Sequence, residues 1–207
     1  MMQKIVFATG NAGKMKEIRM ILSDLMVQGE PVDVLSMKEA GVETDIAENG
    51  NSFLENAMIK AKAVAACTKE AIVLADDSGL EIDYLNKEPG IYSARYMGED
   101  TSYHVKNTHL IHRLSGVPDE KRTARFVCAI ACVMPDGRML SSEAAIEGRI
   151  GYEEKGTNGF GYDPIFMVPE YGKSTAELTE EEKNEISHRG KALRMMKEQL
   201  KAIDRLK

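Results

Sequence analysis

Short unbroken apolar runs and helically spaced apolar positions take turns along this chain, and their order predicts its elements. Lys4–Ala8 (KIVFA) reads as a strand that runs into a glycine-bearing loop. Met15, Ile18, Ile21, Leu22, Leu25 and Met26 then share one helical face, closed by Gly29 and Pro31. Val32–Leu35 reads as a second strand, followed by an acidic, polar loop (GVETDIAENGN). Ser52 and Glu55 have the spacing of a capping box, and behind them Phe53, Ala57, Ala61, Val64 and Ala65 line one face of a helix. The run Ala71–Ala75 reads as a strand that stops at Asp76-Asp77-Ser78-Gly79; Leu80–Leu85 reads as another strand, and Asn86–Gly90 as a turn.

Thr101–Leu114 has helical character. Ala124–Met134 alternates with period two, turns at Pro135-Asp136-Gly137, and returns through Met139–Ile146, which predicts a hairpin. Gly151, Gly156, Gly159 and Gly161 mark a loop. Thr179 and Glu182 repeat the capping-box spacing before a helix that breaks near Ser187-His188-Arg189-Gly190; Leu193, Met196, Leu200 and Ile203 continue on one face. Strands and helices interleave, but the hairpin requires antiparallel pairing as well, so the expected architecture is mixed α/β.

The length of 207 residues fits a single domain with two lobes, given domains of about 150 residues. With 43% hydrophobic and 29% charged residues the composition is that of a folded globular protein. The formal net charge of −6 disfavours a nucleic-acid partner, since phosphate neutralisation needs a basic surface. A small phosphorylated ligand needs only a local basic pocket. No run of about 18 apolar residues and no export signal is present, so neither a membrane partner nor a secretory route is expected. Cys67, Cys128 and Cys132 form no CxxC pair; reduced thiols in a cytoplasmic protein are the expectation.

Five groups of residues carry candidate chemistry. Thr9-Gly10-Asn11-Ala12-Gly13-Lys14 joins a strand to a helix, so backbone N–H groups and a lysine converge where an anion could sit. The string is not a Walker A loop, because Ala8 stands at the first glycine position and Met15 follows the lysine. Asp76 and Asp77 are adjacent, so their side chains point in different directions; one can bind a hard cation while the other holds the loop. Glu43, Asp45 and Glu48 precede Asn56 and Lys60, which lie four apart on one helix face, a set that suits a metal–triphosphate site. Phe160, between two glycines in Asn158–Pro164, can offer a ring to a base, and Asp163 an acceptor to its edge. Lys183, Ser187, His188 and Arg189 supply donors at a helix break. Each string alone is also compatible with an ordinary turn, a solvated face, a packed loop anchor or a cation at a helix end.

Taken in order, TGNAGK, SFLENAMIKA, ADDSGL, PGIYSARY, GFGYDPIF and SHRGKAL closely resemble the inosine triphosphate pyrophosphatase family, the Ham1-like house-cleaning enzymes, from Lys4 to about Leu193. The resemblance implies hydrolysis of ITP, dITP and XTP to the monophosphate and pyrophosphate, with Mg²⁺ as cofactor. It also implies an elongated mixed sheet flanked by helices, two lobes with the substrate cleft between them, and a homodimer. By position, the family's nucleotide-binding loop falls on Thr9, Gly10, Asn11, Ala12, Gly13 and Lys14. Its catalytic and metal-binding aspartate falls on Asp77, a substrate contact on Ser78 and a metal-site glutamate on Glu48. Its base-binding string falls on Phe160, Gly161, Tyr162 and Asp163, its late lysine on Lys183, and its HR pair on His188 and Arg189. The family usually reads Glu-Thr-Gly where this chain has Glu48-Asn49-Gly50, and Ser52 here precedes Phe53.

The expected mechanism has Lys14, Lys60 and the loop N–H groups neutralising the triphosphate, with Asn56 beside them. Asp77 orients and deprotonates the attacking water. The donors of Lys183, His188 and Arg189 would favour a base carrying oxygen at position 6. Competing expectations are a pyrophosphatase for a modified pyrimidine triphosphate and a nucleotide-binding regulator without catalysis.

Overall fold

The computed structural model describes residues 3–68 and 70–203. Eight strands form one sheet in the order β2-β3-β1-β4-β5-β6-β7-β8. They are β1 (Gln3–Phe7), β2 (Met26–Val27), β3 (Glu30–Ser36), β4 (Ile72–Ile82), β5 (Thr123–Val133), β6 (Met139–Ile150), β7 (Phe166–Val168) and β8 (Lys173–Ser174). The helices are α1 (Ala12–Leu22), α2 (Phe53–Cys67), α3 (Tyr103–Arg113), α4 (Glu180–Ile186) and α5 (His188–Ile203). Strand β1 pairs in parallel with β3 and β4, with Ile5 opposite Val34 and Ile72. The pairs β2–β3, β6–β7 and β7–β8 are antiparallel, so the sheet is mixed, as the hairpin requires.

Two compact units divide the chain. The first comprises Met1–Asp77, Cys128–Ala144 and Arg189–Lys207; the second comprises Ser78–Val127 and Ala145–His188. Each buries its own core. In the first, Ile5, Phe7, Ile72 and Leu74 of the sheet pack with Met15, Ile18 and Leu22 of α1 and Leu193, Met196 and Leu200 of α5. These α1 and α5 residues are the ones the helical spacing placed on one face. In the second, Leu80, Ile82, Phe126 and Phe166 pack with Leu110 and Leu114 around the end of α3. Cys128 and Cys132 are buried free thiols, pushed up to about 12 by burial, and Cys67 is exposed and free.

Three local expectations change. Helix α1 ends at Leu22, and Met26 belongs to β2, because Leu25 already packs back into the core as the chain turns. The segment Asp76-Asp77-Ser78-Gly79 does not end a strand: β4 continues through it to Ile82, and Asp83–Leu85 forms a short 3-10 turn. A strand flanked by β1 and β5 keeps its ladder bonds, and its polar side chains find partners rather than breaking it. The capping box at α2 is incomplete. Ser52 accepts from the Glu55 N–H, but Glu55 Oε2 accepts from Asn51 N at 2.7 Å rather than from Ser52. The second box, Thr179 with Glu182, is reciprocal.

Candidate active site

The first unit assembles a polar cluster from three separated strings. At the start of α1, Asn11 caps the helix by accepting the Lys14 N–H at 3.1 Å. The Thr9 hydroxyl accepts the Asn11 N–H at 3.2 Å. Gly10, Asn11, Ala12 and Gly13 are exposed, and the first-turn N–H groups of Ala12 and Gly13 have no intrahelical acceptor. Lys14 swings back to the sheet, with Nζ 2.9 Å from Asp76 Oδ2.

Alternation along β4 separates the two aspartates, as expected. Asp76 meets Lys14 and, at 3.3 Å, Arg189 Nε; Arg189 also holds Glu17 Oε2 at 2.6 Å. Asp77 faces α2, accepting from Asn56 Nδ2 at 3.1 Å and lying 3.5 Å from Lys60 Nζ. Lys60 reaches Glu48 Oε2 at 3.2 Å. Asn56 is fully buried, and its other amide atom, Oδ1, accepts the Gly50 N–H at 2.8 Å. A side chain at Gly50 would stand 2.7 Å from Glu55 Cβ, so only glycine lets the acidic loop approach α2 this closely. Glu43 and Asp45 are exposed on that loop, outside this cluster of contacts.

The two aspartates carry their charge differently. Burial works against the Asp76 carboxylate, but Lys14 and Arg189 outweigh it and hold it well below the ordinary aspartate value. Burial raises Asp77; Lys60 and the Asn56 hydrogen bond oppose the rise, while Glu48 and Asp76 add to it, and the net direction is up. Burial also works against the Lys60 ammonium, but Asp77, Asp76 and Glu48 keep it above the usual lysine value. Ion pairs link Glu17, Glu48, Asp76 and Asp77 with Lys14, Lys60 and Arg189. The oxygen donors of Glu48 and Asp77 fit a hard divalent cation. Among the described residues no three His, Cys, Asp or Glu side chains form a metal cage. Mg²⁺ commonly binds through one or two carboxylates together with substrate phosphates, so that pattern suits it.

The second unit holds the aromatic loop. Asp163 is buried and its carboxylate is filled from within: Oδ2 accepts from Phe160 N at 2.8 Å and Lys183 Nζ at 2.7 Å, and Oδ1 accepts from Thr175 Oγ1 at 2.8 Å. Gly159 has φ +73, and a side chain there would lie 2.2 Å from Asp163 Oδ2. Asp163 thus ties the loop backbone to Lys183 and Thr175. Tyr162 is likewise buried and donates to Ser93 O at 2.6 Å. Phe160 is half-buried, with Lys183 Nζ 4.7 Å from its ring centroid. Ser78 is half-buried where β4 enters this unit. His188 stacks on Phe126 with centroids 4.9 Å apart and planes 18° from parallel.

Ser187, in extended conformation, breaks the chain between α4 and α5. His188 and Arg189 thus open α5 rather than trail α4, and they belong to different units. Arg189, expected beside His188 as a base donor, is 3% exposed and ion-paired to Asp76 and Glu17, because the buried Asp76 carboxylate demands a counter-ion. Sequence reasoning missed Glu17, Thr175 and Phe126. Only Glu17 left a signal, three residues beyond Lys14 on α1.

A sequence model described as the Ham1 family matches residues 5–199. A dITP/XTP pyrophosphatase of Clostridium perfringens is 45% identical over 207 residues, 98% of this chain and 99% of the relative. One from Exiguobacterium sibiricum is 48% identical over 193 residues, covering 93% and 94%. Among solved structures, the Staphylococcus aureus Ham1 protein superposes with a TM-score of 0.84 at 38% identity, over 97% of this chain and 99% of that one. A HAM1 protein from Coxiella burnetii gives 0.86 at 39% identity, over 97% and 100%.

Proposed function

The chain belongs to the Ham1 family, and on that premise we propose that it hydrolyses the α–β phosphoanhydride bond of ITP, dITP and XTP. The products are the nucleoside monophosphate and pyrophosphate. The observation that carries this reading is the convergence, in one unit, of the Thr9–Lys14 loop, the Asn56–Lys60 helix face and the Asp76–Asp77 pair.

The loop N–H groups, Lys14 and Lys60 neutralise the triphosphate and the charge that develops on departing pyrophosphate. Asp77, raised by its burial, is suited to orient a water and take its proton; Asn56 and Lys60 hold its carboxylate in place. Glu48 and Asp77 would hold Mg²⁺, which when bound supplies Lewis-acid stabilisation to phosphate oxygens. Asp76 and Arg189 act behind this set by fixing Lys14.

In this reading the two units are the lobes of a single domain, the first handling phosphates and the second the base. Phe160 stacks on the purine, Gly161, Tyr162 and Asp163 shape that platform, Ser78 contacts the substrate, and Lys183 and His188 donate to the 6-oxo group. An amino group at position 6 would leave such donors unpaired, a penalty of about 1–3 kcal/mol each. A cytoplasmic, homodimeric enzyme completes the proposal. Among the described residues no helix is long and apolar enough to cross a membrane. Sedimentation in solution tests the dimer.

The deciding experiment is pyrophosphate release from ITP, XTP, GTP, ATP and dTTP, with Mg²⁺ and with EDTA. Metal-dependent turnover of ITP and XTP far above ATP is expected. Preference for dTTP would overturn the base reading, and no turnover at all would overturn catalysis.

A further inference from the structure

The aromatic loop of the second unit is tied to α3 by one buried amide. Asn107 is 1% exposed, and its Nδ2 donates to Glu154 Oε1 at 2.7 Å and to Gly161 O at 3.3 Å. Glu154 and Gly161 flank Phe160 along the chain. The other carboxylate oxygen of Glu154 lies 2.6 Å from His104 Nδ1, one turn earlier on α3. Tyr103, from the same turn, meets the Tyr162 ring edge-on at a centroid distance of 5.2 Å. Asn107 Oδ1 has no hydrogen-bond partner. Flipping the amide would set that oxygen against two acceptors, so both bonds fix its orientation. A residue chosen for packing alone would not carry an unpaired buried acceptor, because leaving one unmade is costly.

We infer that Asn107 is a positioning residue for base recognition: through the Gly161 carbonyl it sets the attitude of the Phe160 ring. It touches neither the phosphate cluster nor Asp77 by any contact of its own. The inference rests on the purine triphosphate reading above and deepens it.

The effect should therefore appear in the handling of the base and spare that of the phosphates. Two variants test it, N107L and the double variant N107D/E154Q. The double variant restores a hydrogen bond between positions 107 and 154 with donor and acceptor exchanged, but it turns an oxygen toward the Gly161 carbonyl. Both should raise KM for ITP by about five- to twentyfold while kcat stays within about twofold, the pattern of a lost binding contact. Inhibition of ITP turnover by inorganic tripolyphosphate, which has no base, should be unchanged. Thermal melting checks that each variant folds, and the double variant, which keeps polar groups at both positions, carries the test if N107L does not.

Recovery of wild-type KM in N107D/E154Q would overturn the inference, since the bond to Glu154 alone would then suffice. A parallel loss of tripolyphosphate affinity would also overturn it, by showing a general structural defect, as would an unchanged KM in N107L. If the wild-type protein turns over no ITP, the nucleotide reading falls and takes this inference with it; wild-type turnover with insensitive variants sinks the inference alone.

Discussion

Asp77 and Asp163 are both buried, and both stand beside a lysine, yet the two units treat them differently. Asp163 has its own lysine at 2.7 Å and also accepts from a backbone N–H and a hydroxyl. Asp77 lies 3.5 Å from a lysine that is closer, at 3.2 Å, to Glu48, and it follows a second aspartate in the same strand. The first arrangement is closed and holds a loop in shape. The second gathers neighbouring carboxylates, and burial together with Glu48 and Asp76 pushes the Asp77 carboxyl upward. A burial value alone would rank the two carboxylates together; their surroundings separate them, since Asp163 meets one lysine while Asp77 shares its lysine with Glu48.

Substitutions can break this comparison, starting with the largest effect. D77N should lower pyrophosphate release from ITP by about 10²–10⁴-fold, the usual worth of a positioned acid–base group. Because burial and neighbouring carboxylates raise Asp77, removing its charge should leave the melting temperature unchanged or higher at neutral pH. A near-normal rate would refute the assignment. D76N should act in the opposite sense. It strands Arg189 and Lys14 without their shared carboxylate and should cost about 3–5 kcal/mol in urea unfolding, as breaking a buried pair does.

On the second unit, F160A should raise KM for ITP about 10- to 100-fold, in line with about 1–3 kcal/mol for stacking a base. Its response to inorganic tripolyphosphate should match the wild type. A smaller effect is expected at Asp83, which lies outside both networks. The Lys87 ammonium and the Thr123 hydroxyl bonded to it hold its carboxyl down to about 2, from 3.8. A depressed carboxyl stabilises the fold above its unfolded value and loses that contribution as pH falls toward 2. D83N should therefore flatten the acid side of the stability–pH curve by no more than about 1 kcal/mol, since the group is partly exposed.

Most elements were legible in the sequence because their signals are local. The helical spacing in α1 and α5 predicts the face that is buried, and the apolar run of β5 predicts a strand, which is buried on both faces from Phe126 to Cys132. Legibility failed where a long-range partner decides the outcome. The acidic string in β4 reads as a turn until Lys14, Arg189, Asn56 and Lys60 are seen to meet it from 17 to 113 residues away. Arg189 reads as an available donor until Glu17 and Asp76 are found on it. Asp163 reads as an unpaired loop carboxylate until Thr175 and Lys183, downstream in the chain, are found on it. Residue types and their order were visible; which groups already have their bonds was not.

The alternation of Asp76 and Asp77 makes the register of β4 part of the chemistry. Ile72, Val73 and Leu74 stand opposite Ile5, Val6 and Phe7, and this alignment fixes which carboxylate faces α2. A slip of one residue would bring Asp77 to the arginine and leave Ser78 facing Asn56 and Lys60 in its place. Such a chain would keep its composition and much of its strand content while no longer presenting Asp77 to Asn56 and Lys60. For this protein the parallel pairing with β1 acts as an addressing system that delivers one of two identical side chains to α2.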